Sequence, residues 1–155
     1  MTSTATSPGV AIDPAESPLI GRWRLVSYRE RRDNGETFDV FGPDPVGHIV
    51  YTASGHMSVI FASSQRRPFV GAWSDVGDTH KAQNFDALVA YEGRFTDYGS
   101  RVVHHLEVSW IPNWQGKDLE RFITRLPEGR VCLSTPSVRF GRPQPVQDVV
   151  LERVA

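Results

Sequence analysis

Short extended runs separated by turn residues fill most of the chain, and this pattern constrains the fold more than any other feature. The runs are rich in β-branched and aromatic residues. Turn signals such as Asn34-Gly35, Ser54-Gly55 and residues 97–100 divide them about every 8–12 residues. One stretch has convincing helical character, from Asp78 to about residue 87. The pattern predicts an all-β chain of about nine strands with one short helix.

The predicted strands favour a closed antiparallel barrel. Runs such as Ile49-Val50-Tyr51 and Val59-Ile60-Phe61 are apolar on both faces. A closed sheet buries one face in its interior and leaves no exposed edge. Because successive runs are joined by short turns, we expect an up-and-down order of strands.

Composition and charge exclude several classes of protein. The 155 residues are 39% hydrophobic, which is enough for one globular domain with a core. The net charge of −1 provides no electrostatic footprint for nucleic acid, so no nucleic-acid partner is predicted. No apolar run approaches the roughly 18 residues that a membrane helix needs, and no membrane partner is predicted.

The N-terminal segment and the single cysteine bear on organisation and compartment. Residues 1–17 are rich in Ser, Thr, Ala and Pro and contain no Lys or Arg. We expect them to form a disordered tail without a secretory signal, preceding one domain over 18–155. Cys132 has no partner for an internal disulfide. Together these features predict a cytoplasmic protein.

The sequence contains no motif for a nucleotide cofactor or a metal. Neither a G-x-G-x-x-G nor a P-loop occurs, and no His-x-x-x-His spacing is present. His104 and His105 are neighbours in a predicted strand, so they point to opposite faces and cannot bind one metal together. We therefore predict no cofactor and no metal.

The run from Val102 to Trp110 contains the strongest candidates for catalytic residues. Strict alternation places His105, Glu107 and Ser109 on one face with Val103. A histidine beside a carboxylate can act as a general acid or base, with the carboxylate orienting the ring. The pattern alone leaves two interpretations open: this face lines the barrel interior, or it is an ordinary solvated face.

Other side chains near this run are candidates for binding a ligand. The loop that follows contains Asn113 and Trp114, and a Trp there can cover a ligand or plug the barrel end. Arg121 on the next strand can pair with Glu107 or hold an anionic ligand. Tyr51 and Tyr91 can each present a phenol to the interior.

The chain resembles the bacterial and fungal lipocalin-like domain family over roughly residues 18–155. The resemblance rests on motifs found in the expected order. They are Gly21-Arg22-Trp23-Arg24-Leu25, Phe41-Gly42-Pro43-Asp44-Pro45-Val46-Gly47, Tyr51-Thr52, Gly55-His56-Met57-Ser58-Val59, Tyr91-Glu92-Gly93-Arg94-Phe95, His104-His105-Leu106-Glu107-Val108-Ser109, Pro112-Asn113-Trp114-Gln115-Gly116, Arg121-Phe122, Leu133-Ser134-Thr135-Pro136 and Leu151-Glu152-Arg153-Val154.

The resemblance implies a small barrel around a ligand cavity. It implies that Trp23 closes the barrel floor near Arg153. The family's polar signature falls on His105, Glu107, Ser109, Asn113 and Trp114. Met57, in the motif Gly55-His56-Met57-Ser58-Val59, is expected to contact the ligand. His56 departs from the expected Tyr. Relatives of this architecture include cofactor-free cyclases and isomerases, and the family is often found beside natural-product biosynthesis genes.

Three functions follow as hypotheses. The first is a cofactor-independent isomerase, cyclase or lyase acting on a small hydrophobic or polyketide-like molecule. His105 would then be the acid and base, Glu107 would orient it, and Ser109 and Tyr51 would donate hydrogen bonds to an oxyanion. The second is a non-catalytic carrier of such a molecule. The third is an interaction module with a filled core. A homodimer is compatible with all three.

Overall fold

Eleven β-strands and one α-helix are found in residues 9–154, the part of the chain that the computed structural model describes. The strands are β1 (Gly21–Arg31), β2 (Thr37–Asp39), β3 (Val46–Tyr51), β4 (His56–Ala62), β5 (Leu88–Asp97), β6 (Arg101–Ser109), β7 (Asp118–Arg125), β8 (Val131–Ser134), β9 (Val138–Arg139), β10 (Arg142–Pro143) and β11 (Val146–Val154). The helix α1 is Asp78–Asp86, and short 3-10 turns occupy Pro14–Glu16, Trp73–Asp75, Pro112–Trp114 and Pro127–Gly129.

Eight strands form a closed antiparallel barrel. Their order is β1, β3, β4, β5, β6, β7, β8 and β11, and β11 pairs with β1 to close the ring. Closure runs along the whole of β1, from Arg22 opposite Val154 to Arg31 opposite Val146. The short β2 adds a ninth strand beside β1, while β9 and β10 form a separate hairpin. The predicted all-β barrel with about nine strands, an up-and-down order and one short helix is confirmed.

Trp23 closes one end of the barrel. Its indole is 2% exposed, and Nε1 donates a hydrogen bond to the carbonyl oxygen of Leu19 at 2.8 Å. The guanidinium of Arg153 lies 4.3 Å from the centre of the Trp23 ring, and it donates hydrogen bonds to the carbonyl oxygens of Pro18 and Ile20. The floor contact that the resemblance implied is therefore present.

The segment before β1 packs against this floor. The amide of Ile12 donates to the carbonyl of Asp97 at 2.8 Å, and the Ser17 hydroxyl donates to the Asp97 carboxylate at 2.7 Å in a buried setting. The prediction of a disordered tail over 1–17 is thus corrected for residues 12–17, because the main-chain carbonyl of Asp97 binds Ile12 and its buried carboxylate binds Ser17. Residues 1–8 of that predicted tail lie outside the described residues.

A β-bulge in β6 decides which side chains after Leu106 enter the barrel. Glu92 of β5 lies opposite Val108, but the next residue, Gly93, lies opposite Leu106, so Glu107 is an extra residue. A Cβ at position 93 would overlap the carbonyl oxygen of His105, so only glycine allows the strands to approach this closely.

The bulge breaks the simple alternation of faces along β6. Before it, Val102, His104 and Leu106 are buried. After it, Ser109 is also buried, while Glu107 and Val108 are exposed. An extra residue in a strand shifts the side-chain period by one position. The prediction that His105, Glu107 and Ser109 share one face is wrong for this reason.

No helix in residues 9–154 has both the length and the apolar character needed to cross a membrane.

Candidate functional site

A narrow cavity lies in the barrel, toward the end opposite Trp23. It has a volume of about 30 Å³, the size of about two water molecules. Its lining is mostly apolar and aromatic, with a few polar groups. The lining residues are Tyr28, Ile49, Phe61, Val89, Tyr91, His104, Trp110, Trp114, Arg121, Leu133, Thr135, Arg139, Gln147 and Val149. Half-buried Trp110 and Trp114, whose ring centres are 5.1 Å apart, lie at its mouth.

Two tyrosines enclose His104 at the inner end of this cavity. The Tyr51 hydroxyl lies 2.7 Å from Nε2 of His104, and the Tyr91 hydroxyl lies 2.8 Å from Nδ1. The three side chains come from β3, β5 and β6, and His104 and Tyr51 are 0% and 2% exposed. They form one buried hydrogen-bonded row across the lumen.

Burial keeps all three groups uncharged. Desolvation lowers the pKa of His104 well below its usual value, and the nearby Arg121 guanidinium lowers it further. Desolvation also raises the pKa of Tyr51 well above 10, and it raises that of Tyr91, which Arg121 partly counteracts. A neutral imidazole has one donor nitrogen and one acceptor nitrogen, so the row must have a direction.

Hydrogen-bond accounting sets that direction. Among the described residues, neither tyrosine hydroxyl has a hydrogen bond other than the one to His104, but Tyr91 lines the cavity and Tyr51 does not. A buried hydroxyl hydrogen without an acceptor is costly, so Tyr51 donates to Nε2. Nδ1 of His104 then carries the proton and donates to the oxygen of Tyr91. The hydroxyl hydrogen of Tyr91 is left to point into the cavity.

Arg121 supplies positive charge beside Tyr91. It is 9% exposed, and its Nη1 donates to the carbonyl oxygen of Glu120 at 2.9 Å. A second guanidinium, that of Arg139 on β9, reaches the cavity from the hairpin and lies 4.8 Å from the centre of the Trp114 ring. None of the described residues that line the cavity is Asp or Glu. The polar part of the lumen therefore combines a phenol donor with two cations.

Only some of the residues predicted to bind substrate line the cavity. Tyr91, Arg121 and Trp114 line the cavity together, and Tyr51 lies behind them against His104. Met57 and Ser109 are buried in the barrel but do not line the cavity. The hydroxyl of Ser109 accepts a hydrogen bond from the amide of Ile111 at 3.2 Å.

Asn113 lies outside the cavity. It belongs to the 3-10 turn Pro112–Trp114, which directs Trp114 toward the lumen and leaves Asn113 exposed. The prediction that Asn113 contacts a ligand in the lumen is corrected accordingly.

His105 and Glu107 lie on the outer face of the barrel. The His105 ring bonds Asp118 through Nδ1 and Thr96 through Nε2, both at 2.8 Å. Its side chain is 38% exposed, and Glu107 is exposed as well. The prediction that this pair faces the lumen is wrong, because the inward residue of the His-His pair is His104. The catalytic roles assigned to His105 and Glu107 lose their basis with that placement.

His104 and Arg139 are the site residues that the sequence reasoning missed. A signal for His104 was present, since its neighbours on the same face, Val102 and Leu106, are both apolar and an apolar face turns inward. No signal pointed to Arg139, because it lies on a hairpin of two-residue strands among glycine and prolines. Within the described chain, no group of His, Cys, Asp and Glu side chains converges as a metal site.

One of two comparisons with known proteins supports this architecture. A search of the curated proteins found no match to the chain. The family model described as "Lipocalin-like domain" matches residues 20–154. The match runs from the start of the barrel through β11, so it includes every cavity residue described above. The chain therefore belongs to the lipocalin-like domain family, whose fold supports the binding of a ligand inside the barrel.

Proposed function

We propose that the protein is a cofactor-independent enzyme that binds a small hydrophobic or polyketide-like molecule in its lumen and promotes an isomerisation, cyclisation or elimination. One observation carries this proposal. Both ring nitrogens of His104 are bonded to tyrosines, and the second of these, Tyr91, lines the cavity together with Arg121. With Tyr51 as the donor to Nε2, the hydroxyl hydrogen of Tyr91 is available to a ligand. A fixed donor next to a cation in a water-poor site is the arrangement that stabilises a developing oxyanion.

Tyr91 takes the role of hydrogen-bond donor to a ligand carbonyl oxygen. When a hydroxide ion or water molecule from solvent removes a proton next to the carbonyl, negative charge develops on that oxygen, and the phenol and the Arg121 guanidinium stabilise it. The neutral His104 supports Tyr91 by donating from Nδ1, which fixes the orientation of the hydroxyl. One such donor contributes about 10²–10³-fold in rate. A full proton shift along the row would create a buried Tyr51 phenolate, so the row polarises the ligand without ionising.

The size of the cavity restricts the ligand and requires movement. A volume of about 30 Å³ is far below the roughly 300 Å³ of a typical ligand pocket. The half-buried Trp114 and Arg139 lie at the mouth on a turn and a hairpin, the elements least constrained by the barrel. Their displacement on binding would enlarge the cavity without opening the strands.

A non-catalytic carrier is the second candidate. The observation in its favour is that the described lining contains no carboxylate, while both nitrogens of His104 are already bonded to tyrosines. Such a lining offers a donor and cations but no free general base. A carrier would use the same groups to orient its ligand.

The ionisation of bound 4-nitrophenol tests the oxyanion site. Its phenolate is coloured and its phenol is not, so absorbance against pH reports the pKa of the bound probe. We expect the wild-type protein to lower this pKa and Tyr91→Phe to abolish most of the shift. Tyr98→Phe is the matched control, because Tyr98 lies outside the cavity, stacked under Arg101 at 4.3 Å. An unchanged shift in Tyr91→Phe would refute the role of Tyr91.

Catalysis is tested separately from binding. Exchange of the protons next to the carbonyl of 4-phenylbutan-2-one for deuterium is followed by NMR in D₂O. We expect the wild-type protein to accelerate exchange and Tyr91→Phe to lose that acceleration. Binding of the ketone without faster exchange would favour the carrier, and failure of both probes to bind would favour a filled core.

A further inference from the structure

We propose that the ligand carries a negatively charged group, in the simplest case a carboxylate, and that Arg121 and Arg139 bind it between them. This inference rests on the proposed function, since it specifies the class of molecule that enters the lumen. It goes further by assigning an anion-binding subsite to two side chains that come from separate parts of the fold, β7 and the β9–β10 hairpin.

Arg121 is held in the lumen, and no carboxylate of residues 9–154 forms an ion pair with it. It is 9% exposed, although its neighbours on β7, Glu120 and Phe122, are not buried. Its hydrogen bond to the carbonyl of Glu120 occupies Nη1. A guanidinium has five N–H donors, so most of its bonding capacity remains available to the cavity.

Arg139 is the less satisfied of the two. Its Nε atom is buried and has no hydrogen-bond partner among the described residues. A buried donor without a partner is uncommon in folded proteins and calls for an explanation. Desolvation by burial lowers the pKa of Arg139 to about 10, and the charge of Arg121 contributes to the same effect. The two cations therefore repel each other in a partly dry site.

No carboxylate of the described chain neutralises this pair. Six ion pairs join side chains of residues 9–154, and neither arginine belongs to any of them. Other arginines of the barrel, such as Arg24 and Arg31, each contact a carboxylate. A ligand carboxylate placed between Arg121 and Arg139 would supply the missing charge and an acceptor for Nε of Arg139.

The local backbone holds Arg139 at the mouth of the cavity. The turn that joins β9 to β10 has φ of 50° at Phe140 and 75° at Gly141. Such a two-residue turn favours Asn-Gly, and a bulky aromatic residue at positive φ is strained. Arg142, which pairs with Arg139 across the hairpin, is exposed and does not line the cavity. Arg142 therefore provides a matched control for Arg139.

Calorimetric titration with an acid and its amide tests the subsite. The probes are 3-phenylpropanoate and 3-phenylpropanamide, which share the aromatic ring and chain and differ in charge. Charge-assisted hydrogen bonds predict that the wild-type protein binds the acid about ten- to a hundredfold more tightly than the amide. Arg139→Gln should reduce this preference to about one- to threefold, whereas Arg142→Gln should retain it.

Each result decides between the two proposals. Equal binding of acid and amide by the wild-type protein would overturn the anion subsite while leaving the proposed ligand-binding function intact. A preference that survives in Arg139→Gln, with a native near-ultraviolet circular dichroism spectrum, would overturn the assignment to Arg139. Failure of both compounds to bind would overturn the proposed function and this inference with it.

Discussion

The Tyr51 hydroxyl donates its hydrogen to Nε2 of His104 over 2.7 Å, at a place where both side chains are shielded from water. This bond fixes the tautomer of the imidazole and, through it, the free hydroxyl hydrogen of Tyr91. The row is therefore both a structural element of the core and the support of the proposed site.

Replacing Tyr51 by Phe should destabilise the protein without emptying the core. The ring remains, but Nε2 of His104 loses its partner in a buried setting, which costs about 1–3 kcal/mol. Urea unfolding at neutral pH measures the change. Tyr98→Phe, outside the cavity, should stay within about 0.5 kcal/mol of the wild-type protein. A Tyr51→Phe variant as stable as that control would contradict the buried hydrogen bond between Tyr51 and His104.

The stability of the protein should fall as the pH drops below about 6.5 because of His104. In the folded protein its pKa is well below 6.5, so the imidazole stays neutral, whereas the unfolded chain binds a proton there. The unfolded state then gains protons that the folded state lacks, and the free energy of unfolding decreases toward acid pH. Above pH 6.5 this group makes no contribution to the pH dependence.

The size of that effect follows from linkage. Between pH 6 and pH 5 the loss from His104 should be about 1 kcal/mol. Urea unfolding of the wild-type protein and His104→Gln at both values isolates it, since all other titrating groups contribute to both proteins. The wild-type protein should lose more stability than the variant, and parallel curves would show that His104 is protonated in the folded state.

Gly93→Ala should be among the most damaging single-methyl additions in the barrel. The new Cβ would overlap the carbonyl oxygen of His105, which is backbone and cannot rotate away. We expect a loss of about 3 kcal/mol or more in the free energy of unfolding. Gly77→Ala is the control, since a Cβ at Gly77 meets nothing within 4 Å. A near-wild-type Gly93→Ala protein would mean that the bulge relaxes at little cost.

Arg153→Ala should weaken the closed floor and leave the cavity unchanged. The substitution removes the cation over the Trp23 ring and two hydrogen bonds to backbone carbonyls. Because Arg153 is exposed, we expect a modest loss of about 1–2 kcal/mol in thermal or urea unfolding. Binding of 3-phenylpropanoate should not change, and a large change in its affinity would show that the two ends are coupled. Arg125→Ala, at an exposed position, controls for loss of charge.

Turn residues and apolar runs were enough to predict the barrel, because each strand depends on local signals. The direction of the β6 side chains after Leu106 depends on a contact between strands that cannot be read from the sequence of β6 itself. The bulge at Glu107 arises where Gly93 of another strand allows close approach. The bulge therefore explains why Ser109 does not share the face of His105. His105 precedes the bulge, and it was chosen over His104 because its face is the more polar one, although the apolar flanks of His104 carried the correct signal.

Arg139 illustrates a second limit of predicting site residues from the sequence. Its place at the cavity depends on a hairpin whose strands have two residues each and whose turn contains Phe140 at positive φ. Local sequence preferences favour neither feature. Arg121, by contrast, follows regular alternation along β7, and its predicted affinity for an anion remains part of the proposal.

The floor formed by Trp23, Leu19 and Arg153 stabilises one end of the barrel, while the cavity lies toward the other end. We expect substitutions at the floor to alter how tightly the strands are held, and, under the proposed anion subsite, those in the β9–β10 hairpin to alter which ligands bind in the lumen. A lineage could therefore exchange hairpin residues and acquire a new ligand preference while the foundation of the fold stays intact.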